Sequence, residues 1–196
     1  MKNADNSTRC PWCGTDPLYM GYHDQEWGRP ERDSRRLFEL LILESFQAGL
    51  AWITILRKRD TFRAAFHGFD PAVIATWGEP EITRLLQDPG IVRHRGKIEG
   101  TIRGAQAYLG IEARQGFSPF LWSFAPPPGP RPATMAQVPS QTPQSQAMSK
   151  ALKAEGFNFV GPTITYAFMQ ASGMVNDHIA ACDWADPLAF SAPTAI

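Results

Sequence analysis

The sequence predicts an all-α protein. Apolar residues recur at helical spacing through most of the chain, and strand-like alternation is scarce. Helix start and stop residues punctuate that pattern, with Asp or Pro ahead of the apolar stretches and Gly behind them. Hydrophobic residues make up 43% and charged residues 19% of the 196 positions. That is the balance of a chain with a real core rather than a disordered one. One compact domain over residues 1–196 is expected, laid out as a single body or as two helical lobes with a pocket between them.

The elements follow in order. Asp33-Ser34 supplies an N-cap for a helix from Arg35 to Gln47, with Leu37, Leu40, Leu41 and Ile42 on its apolar stripe. Gly49 ends it. A second helix is expected from Trp52 to about Arg59, and a short one around Phe62 to Phe66. Asp70-Pro71 reads as N-cap plus first-turn proline for Ala72 to Trp77, and Pro80 opens Glu81 to Gln87. Asp88-Pro89-Gly90 is a turn. A long helix then runs from about Arg93 to Arg114 and stops at Gly116. Pro119 to Phe124 predicts one short turn of helix. Pro126 to Pro143 is proline-rich and polar and predicts an irregular connection. Ser145 to Glu155 is helical up to Gly156, and Pro162 starts a last helix that runs to about Ser172 before Gly173.

Lys+Arg and Asp+Glu both total 19, so the chain lacks the basic excess of a generic electrostatic nucleic-acid binder. Its cations are nevertheless clustered. Arg93, His94, Arg95 and Lys97 form one run, and Arg57, Lys58 and Arg59 another. The most apolar stretch, Leu37 to Leu56, carries Glu39, Glu44 and Gln47, which argues against a membrane span. The first residues, Met1 to Arg9, are polar and do not read as a secretory signal. A cytoplasmic chain is expected. Its three cysteines are an odd number, a poor disulfide framework suited to a reducing compartment.

His178 and Cys182 are spaced i, i+4, which on a helix puts both side chains on one face. Cys10 and His23, with Cys13 as a rival, are N-terminal candidates to complete a Cys2His2 set of the kind a closed structural zinc site requires. Such a site would close nearly the whole chain into a loop. The cross-link entropy scale for that closure is roughly 5 kcal/mol.

Two further features point to a ligand. Trp12, Tyr19, Tyr22 and Trp27 crowd into a segment of weak helical periodicity, and large flat side chains are what a protein needs to hold an unstacked base. Glu44 sits among Leu40, Leu41, Ile42 and Leu43. Burial of a carboxylate costs on the order of several kcal/mol unless it is paired or hydrogen-bonded, so such a residue is a site candidate.

Longer motifs then carry a resemblance. Asp16-Pro17-Leu18-Tyr19 followed by Tyr22-His23-Asp24-x-Glu26-Trp27-Gly28 closely resembles type I 3-methyladenine DNA glycosylases. So do Gln47-Ala48-Gly49-Leu50-Ala51-Trp52-Ile53-Thr54, Gly90-Ile91-Val92-Arg93-His94-Arg95-Gly96-Lys97-Ile98, Phe159-Val160-Gly161, Phe168-Met169-Gln170-Ala171 and Val175-Asn176-Asp177-His178. The resemblance spans about Arg9 to Cys182. It implies a helix-hairpin-helix DNA glycosylase-like architecture whose termini are joined by a structural zinc, with Cys10, His23, His178 and Cys182 as ligands, remote from the chemistry. It places Glu44, Tyr22 and Trp52 at the base, with Trp12, Tyr19 and Trp27 building the pocket. Ser45 and Phe46 depart from the family's pattern beside the pocket, and Pro162 replaces an expected threonine.

The implied reaction is monofunctional hydrolysis of the N-glycosidic bond of 3-methyladenine and other N3-alkylated purines in double-stranded alkylated DNA, by base flipping. No nucleotide cofactor and no membrane partner are expected, and the chain is expected to act as a monomer. The hairpin falls on Leu85 to Ile98. Backbone amides near Gly90 and Val92 would cradle a phosphate, with Arg93, Arg95 and Lys97 adding charge. Two other readings compete. A zinc-stabilised helical DNA-binding module without catalysis shares the hairpin and the metal but gives Glu44 no purpose. A zinc hydrolase needs an open metal position, which four protein ligands do not leave.

Overall fold

The computed structural model describes residues 7–184, and every regular element among them is helical. The helices are α1 (Pro17–Gln25), α2 (Ser34–Gln47), α3 (Trp52–Ala65), α4 (Pro71–Ile74), α5 (Glu79–Gln87), α6 (Arg95–Gln115), α7 (Phe117–Trp122), α8 (Pro143–Ala154) and α9 (Pro162–Ala171). No helix among the described residues is long and apolar enough to cross a membrane.

Two helices are capped by the aspartates that the sequence predicts. Asp33 accepts from the Arg36 amide at the head of α2, and Asp70 accepts from Ala72 and Val73 at the head of α4. Pro162 occupies the first turn of α9, where its missing N–H costs nothing. Four local expectations are corrected. The aromatic N-terminal segment contains a helix, α1, capped by Asp16 through the Leu18 and Tyr19 amides. The two pieces expected over Trp52–Phe66 are one helix, because Ile55, Phe62 and Phe66 continue a single buried stripe through Asp60-Thr61. The long helix begins at Arg95, with the His94 ring accepting from the Lys97 amide. His178 and Cys182 lie on no helix. A tight turn closed by the Cys182 amide on the Ile179 carbonyl (2.8 Å) brings them together instead.

α2 is the hub. It packs against α3, α6, α7 and α9, while α4 and α5 lie on α6 and α8 lies on α9. The main core is apolar and rich in aromatic side chains. Phe46, Phe62, Phe66 and Phe69 are fully buried, and the last three stack in sequence at 6.0 and 5.6 Å with ring planes within 16°. Each such side chain contributes about 2–3 kcal/mol of apolar burial. Phe46 therefore points into this core and not into the pocket, and Ser45 donates to the Leu41 carbonyl one turn back (2.8 Å). The end of α9 must lie directly on the 29–30 peptide. A Cβ at Gly173 would fall 2.4 Å from the Arg29 carbonyl carbon, and φ there is +72°, so the position requires glycine.

Candidate active site

A second, smaller apolar cluster lies beside the core, made of Cys10, Tyr22, Trp27, Leu56, Ala171 and Cys182 with Trp12, Tyr19 and Trp52 packed on it. It walls a cavity of about 310 Å³. Trp12 is its keystone, with ring centroids 5.1 Å from Tyr19, 6.4 Å from Tyr22 and 4.9 Å from Trp27. Tyr22 and Trp52 face each other at 5.5 Å with a tilt of 44°. All six expected pocket residues, Glu44, Tyr22, Trp52, Trp12, Tyr19 and Trp27, line this one cavity. α1 supplies the tyrosines, the Asp16 cap fixes where α1 begins, and α2 and α3 bring Glu44 and Trp52 to the opposite wall.

Several polar groups in the wall have no protein partner. Glu44 is buried, and its carboxylate makes no hydrogen bond among the described residues. Burial alone pushes its pKa up to about 8. Trp12 Nε1, Trp52 Nε1 and Gln47 Oε1 are also buried without a partner. Most buried polar atoms in folded proteins are satisfied, so several orphans around one cavity describe a surface built for an occupant. Burial raises the Tyr22 phenol far above its usual range, and the Glu44 charge adds to the shift. Tyr22 therefore stays an O–H donor.

Sequence reasoning missed part of the wall. Met135, Val138, Pro139 and Ser140, from the proline-rich connection, fold back over the cavity. Tyr166, Gln170 and Asp177 form another side. Gln170 and Asp177 fell within quoted motifs, but nothing in the spacing marked them as pocket residues, because the contact is made between α9 and the loop after it.

Cys10, His23, His178 and Cys182 are all buried, and their ligand atoms lie within 4.8 Å of one another. Cys10 Sγ is 3.6 Å from His178 Nδ1, and Cys182 Sγ is 3.4 Å from the same nitrogen and 3.6 Å from His23 Nε2. A tetrahedral zinc with ordinary Zn–S and Zn–N bonds sets such edges at about 3.5 Å, so this donor set fits the ion. The outer atoms are also in place. His23 Nδ1 is 2.8 Å from Asp24 Oδ1, Arg9 clamps Asp24, and His178 Nε2 is 3.3 Å from the Trp27 carbonyl. Such partners fix ring tautomer and aim. Cys13 is outside the cluster, its Sγ donating to the Cys10 carbonyl (3.2 Å). The cluster adjoins the walls of the pocket. Trp27 packs on His178 at 4.6 Å and Trp12 on His23 at 5.2 Å, so two pocket walls rest directly on the ligand rings.

The residues expected to form a hairpin are brought to one end of α6 but do not all face outward. Lys97 is buried, and its Nζ donates to the Phe46 and Ala48 carbonyls at 2.8 and 2.7 Å. Its assignment to a DNA face is corrected: it caps the C-terminus of α2 beneath the pocket. The Gly90 amide is consumed by Asp88 Oδ1 (2.7 Å), so it is not a phosphate donor. Arg95 is exposed but engaged by Glu79 and Glu99. Arg93 is exposed, and among the described residues its side chain forms no ion pair and the Val92 and Arg93 amides meet no acceptor. The second basic run is structural. Arg57 pairs with Asp16, Lys58 caps the Pro89 carbonyl, and Arg59 pairs with Glu26.

The methyladenine glycosylase family model matches residues 12–185. DNA-3-methyladenine glycosylase 1 of Escherichia coli (strain K12) is 52% identical over 177 residues, covering 89% of this chain and 95% of that protein. A crystal structure of 3-methyladenine DNA glycosylase I superposes with a TM-score of 0.88 at 53% identity, over 90% of this chain and 98% of that one. A variant of 3-methyladenine DNA glycosylase I solved in complex with 3-methyladenine superposes with a TM-score of 0.87 at 38% identity, over 91% and 97%.

Proposed function

The chain belongs to the methyladenine glycosylase family, and on that premise we propose how its own residues release 3-methyladenine from alkylated DNA by hydrolysis of the N-glycosidic bond. The observation that carries the reading is Glu44, a buried carboxylate with no protein partner facing an aromatic cavity. Methylation at N3 makes adenine cationic, so the base departs as a neutral molecule and needs little protonation. The enzyme's work is to extrude the base and hold it, against an unstacking cost of a few kcal/mol. Trp52 and Tyr22 offer ring faces to a cationic purine, a contact worth about 1–2 kcal/mol when desolvated. Glu44 accepts from the donor edge of the base. Its charged form, disfavoured in the empty cavity, becomes favoured beside the cation. Water then attacks the sugar carbon as the base leaves.

The support for duplex binding is the segment between α5 and α6, which we read as the hairpin. The Val92 and Arg93 amides and the N-terminal turn of α6 present donors suited to a phosphate, with Arg93 as the free charge. The turn itself is moored to α3, where Thr61 donates to the Gly90 carbonyl (2.6 Å).

We also assign zinc to the Cys10, His23, His178 and Cys182 cluster. When bound, the ion supplies structural closure and not reactivity, because four protein ligands leave no position for a water. The thiols it requires fit a reducing compartment.

Incubation of the protein with alkylated duplex DNA, followed by chromatographic identification of the released bases, tests the function. Release of 3-methyladenine is expected, with the strand left intact. Tight duplex binding with no released base would instead support a non-catalytic DNA-binding module.

A further inference from the structure

Phe159 belongs to neither the main core nor the cavity wall. It lies in Gly156-Phe157-Asn158-Phe159-Val160-Gly161, the connection from α8 to α9. Phe157 and Val160 on either side are buried, and Phe157 stacks on Phe117. Phe159 itself is 38% exposed and has φ +57°. A side chain with a Cβ pays backbone energy in that left-handed region, and it persists there only where its surroundings hold it. Here Ser149 Oγ donates to the Val160 carbonyl (2.6 Å) and Arg103 Nε to Asn158 Oδ1 (2.7 Å). The connection thus keeps a strained aromatic ring at the surface.

The ring rests on the first turns of α6. A Cβ at Gly96 or Gly100 would stand 3.5 and 3.4 Å from it, and the His94 ring meets it edge-on at 5.8 Å. That is the end of α6 where the Val92 and Arg93 amides and the Arg93 charge are read as phosphate contacts. The cavity adjoins it on the other side. Thr163, one turn further along the chain, lines the cavity. Lys97 Nζ is 5.9 Å from the ring centroid and holds the Phe46 and Ala48 carbonyls, on either side of Gln47, another lining residue. Phe159 therefore stands on the rim between the backbone contacts and the cavity.

We propose that Phe159 is an aromatic DNA contact, which packs its ring on a base face uncovered where the duplex unstacks around the damaged nucleotide. The proposal rests on the duplex-binding reading above and deepens it. Extrusion of a nucleotide leaves its neighbours with an open face. A phenyl ring covers such a face without reading sequence, because every base has one. Arg93 holds the backbone of any duplex, whereas the ring favours an opened step over a closed one.

The test is the affinity of zinc-loaded full-length protein for a duplex carrying an uncleavable abasic-site analogue and for the same duplex intact, each across a salt series. Phe159→Leu keeps an apolar side chain on α6 but has no flat face. It should lose roughly tenfold on the analogue duplex, the scale of one base–aromatic stack, and less on the intact one. The salt slope should stay the parent's, because no charge is removed, and so should the affinity for free 3-methyladenine. Phe159→Trp should bind the analogue duplex at least as tightly as the parent. If Phe159→Leu folds poorly, Phe159→Asn, which enters the left-handed region readily, takes its place with the same expectation. Parent affinity for the analogue duplex in the Leu or Asn variant, or a Trp variant that loses as much as Leu, would overturn the proposal. A parent protein that binds neither duplex would refute the duplex-binding reading itself, a separate and recognisable outcome.

Discussion

The main core and the base pocket are built from the same kind of side chain and do opposite things with it. In the core, Phe46, Phe62, Phe66 and Phe69 bury their faces on one another and carry no polar atom. In the pocket, Trp12, Tyr22 and Trp52 stand around an open volume, with indole N–H groups and a carboxylate left without a protein partner. The first arrangement is stable by itself. The second is held open by what surrounds it: the ligand cluster behind Trp12 and Trp27, the Lys97 clamp under α2 and the Asp16 cap of α1. The region around the cavity therefore carries a cost that the core offsets.

The largest break in that comparison is expected from the ligand cluster. Cys182→Ala should remove on the order of 5 kcal/mol, the scale of closing so long a loop, and lower the melting temperature steeply. Because Trp27 and Trp12 rest on His178 and His23, base affinity should fall as well. Calorimetry with matched titration of the free base checks both. A melting temperature equal to the parent's would remove zinc from the account.

Glu44 should show the opposite sign. Its folded-state pKa of about 8 stands above the ordinary 4.5. The unfolded chain therefore ionises first, and parent stability falls as pH rises from about 4.5 to about 8, then levels. Each unit in that window costs about 1.4 kcal/mol. Glu44→Gln does not titrate, so it should gain a few kcal/mol on the parent by pH 8 and nothing near pH 4. Denaturant unfolding of both proteins across that range reads the difference. Parallel pH profiles would mean that Glu44 is solvated or paired.

Lys97 and Arg93 sharpen the contrast at the start of α6. Lys97→Met loses two charge-assisted hydrogen bonds and should cost about 2–3 kcal/mol, with the salt dependence of duplex binding unchanged. Arg93→Ala should barely alter stability and should flatten the salt slope by about one. Arg95→Ala, already neutralised by Glu79 and Glu99, should do less than Arg93→Ala. A larger slope change for Lys97 than for Arg93 would reverse the two roles.

The helices were legible in the sequence wherever an apolar stripe and a cap residue agreed, as at Asp33 and Asp70. They were not legible at α1, whose nine residues alternate between pocket, cluster and solvent and so carry no stripe. The approach of the two termini was suggested by the cysteines and histidines, but the sequence mistook a turn at Ile179–Cys182 for a helix, since i, i+4 spacing does not distinguish them. Charge patterning misled at Lys97. A lysine in a basic run reads as surface, and only the fold shows two carbonyls waiting for it. The side of the cavity formed by Tyr166, Gln170 and Asp177 had no local signal, because its geometry depends on how α9 and the following loop meet.

The central claim is that the unsatisfied pocket, and Glu44 within it, exists to hold the damaged base. It is tested most directly by titrating the parent, Glu44→Gln and Trp52→Ala with free 3-methyladenine and, in parallel, with undamaged duplex. The account predicts that Glu44→Gln loses roughly tenfold or more in affinity for the base, the scale of a charge-assisted hydrogen bond. Trp52→Ala should change in the same direction, and both should bind undamaged duplex like the parent. A Glu44→Gln protein that binds the base as tightly as the parent and excises it at the parent's rate would contradict it.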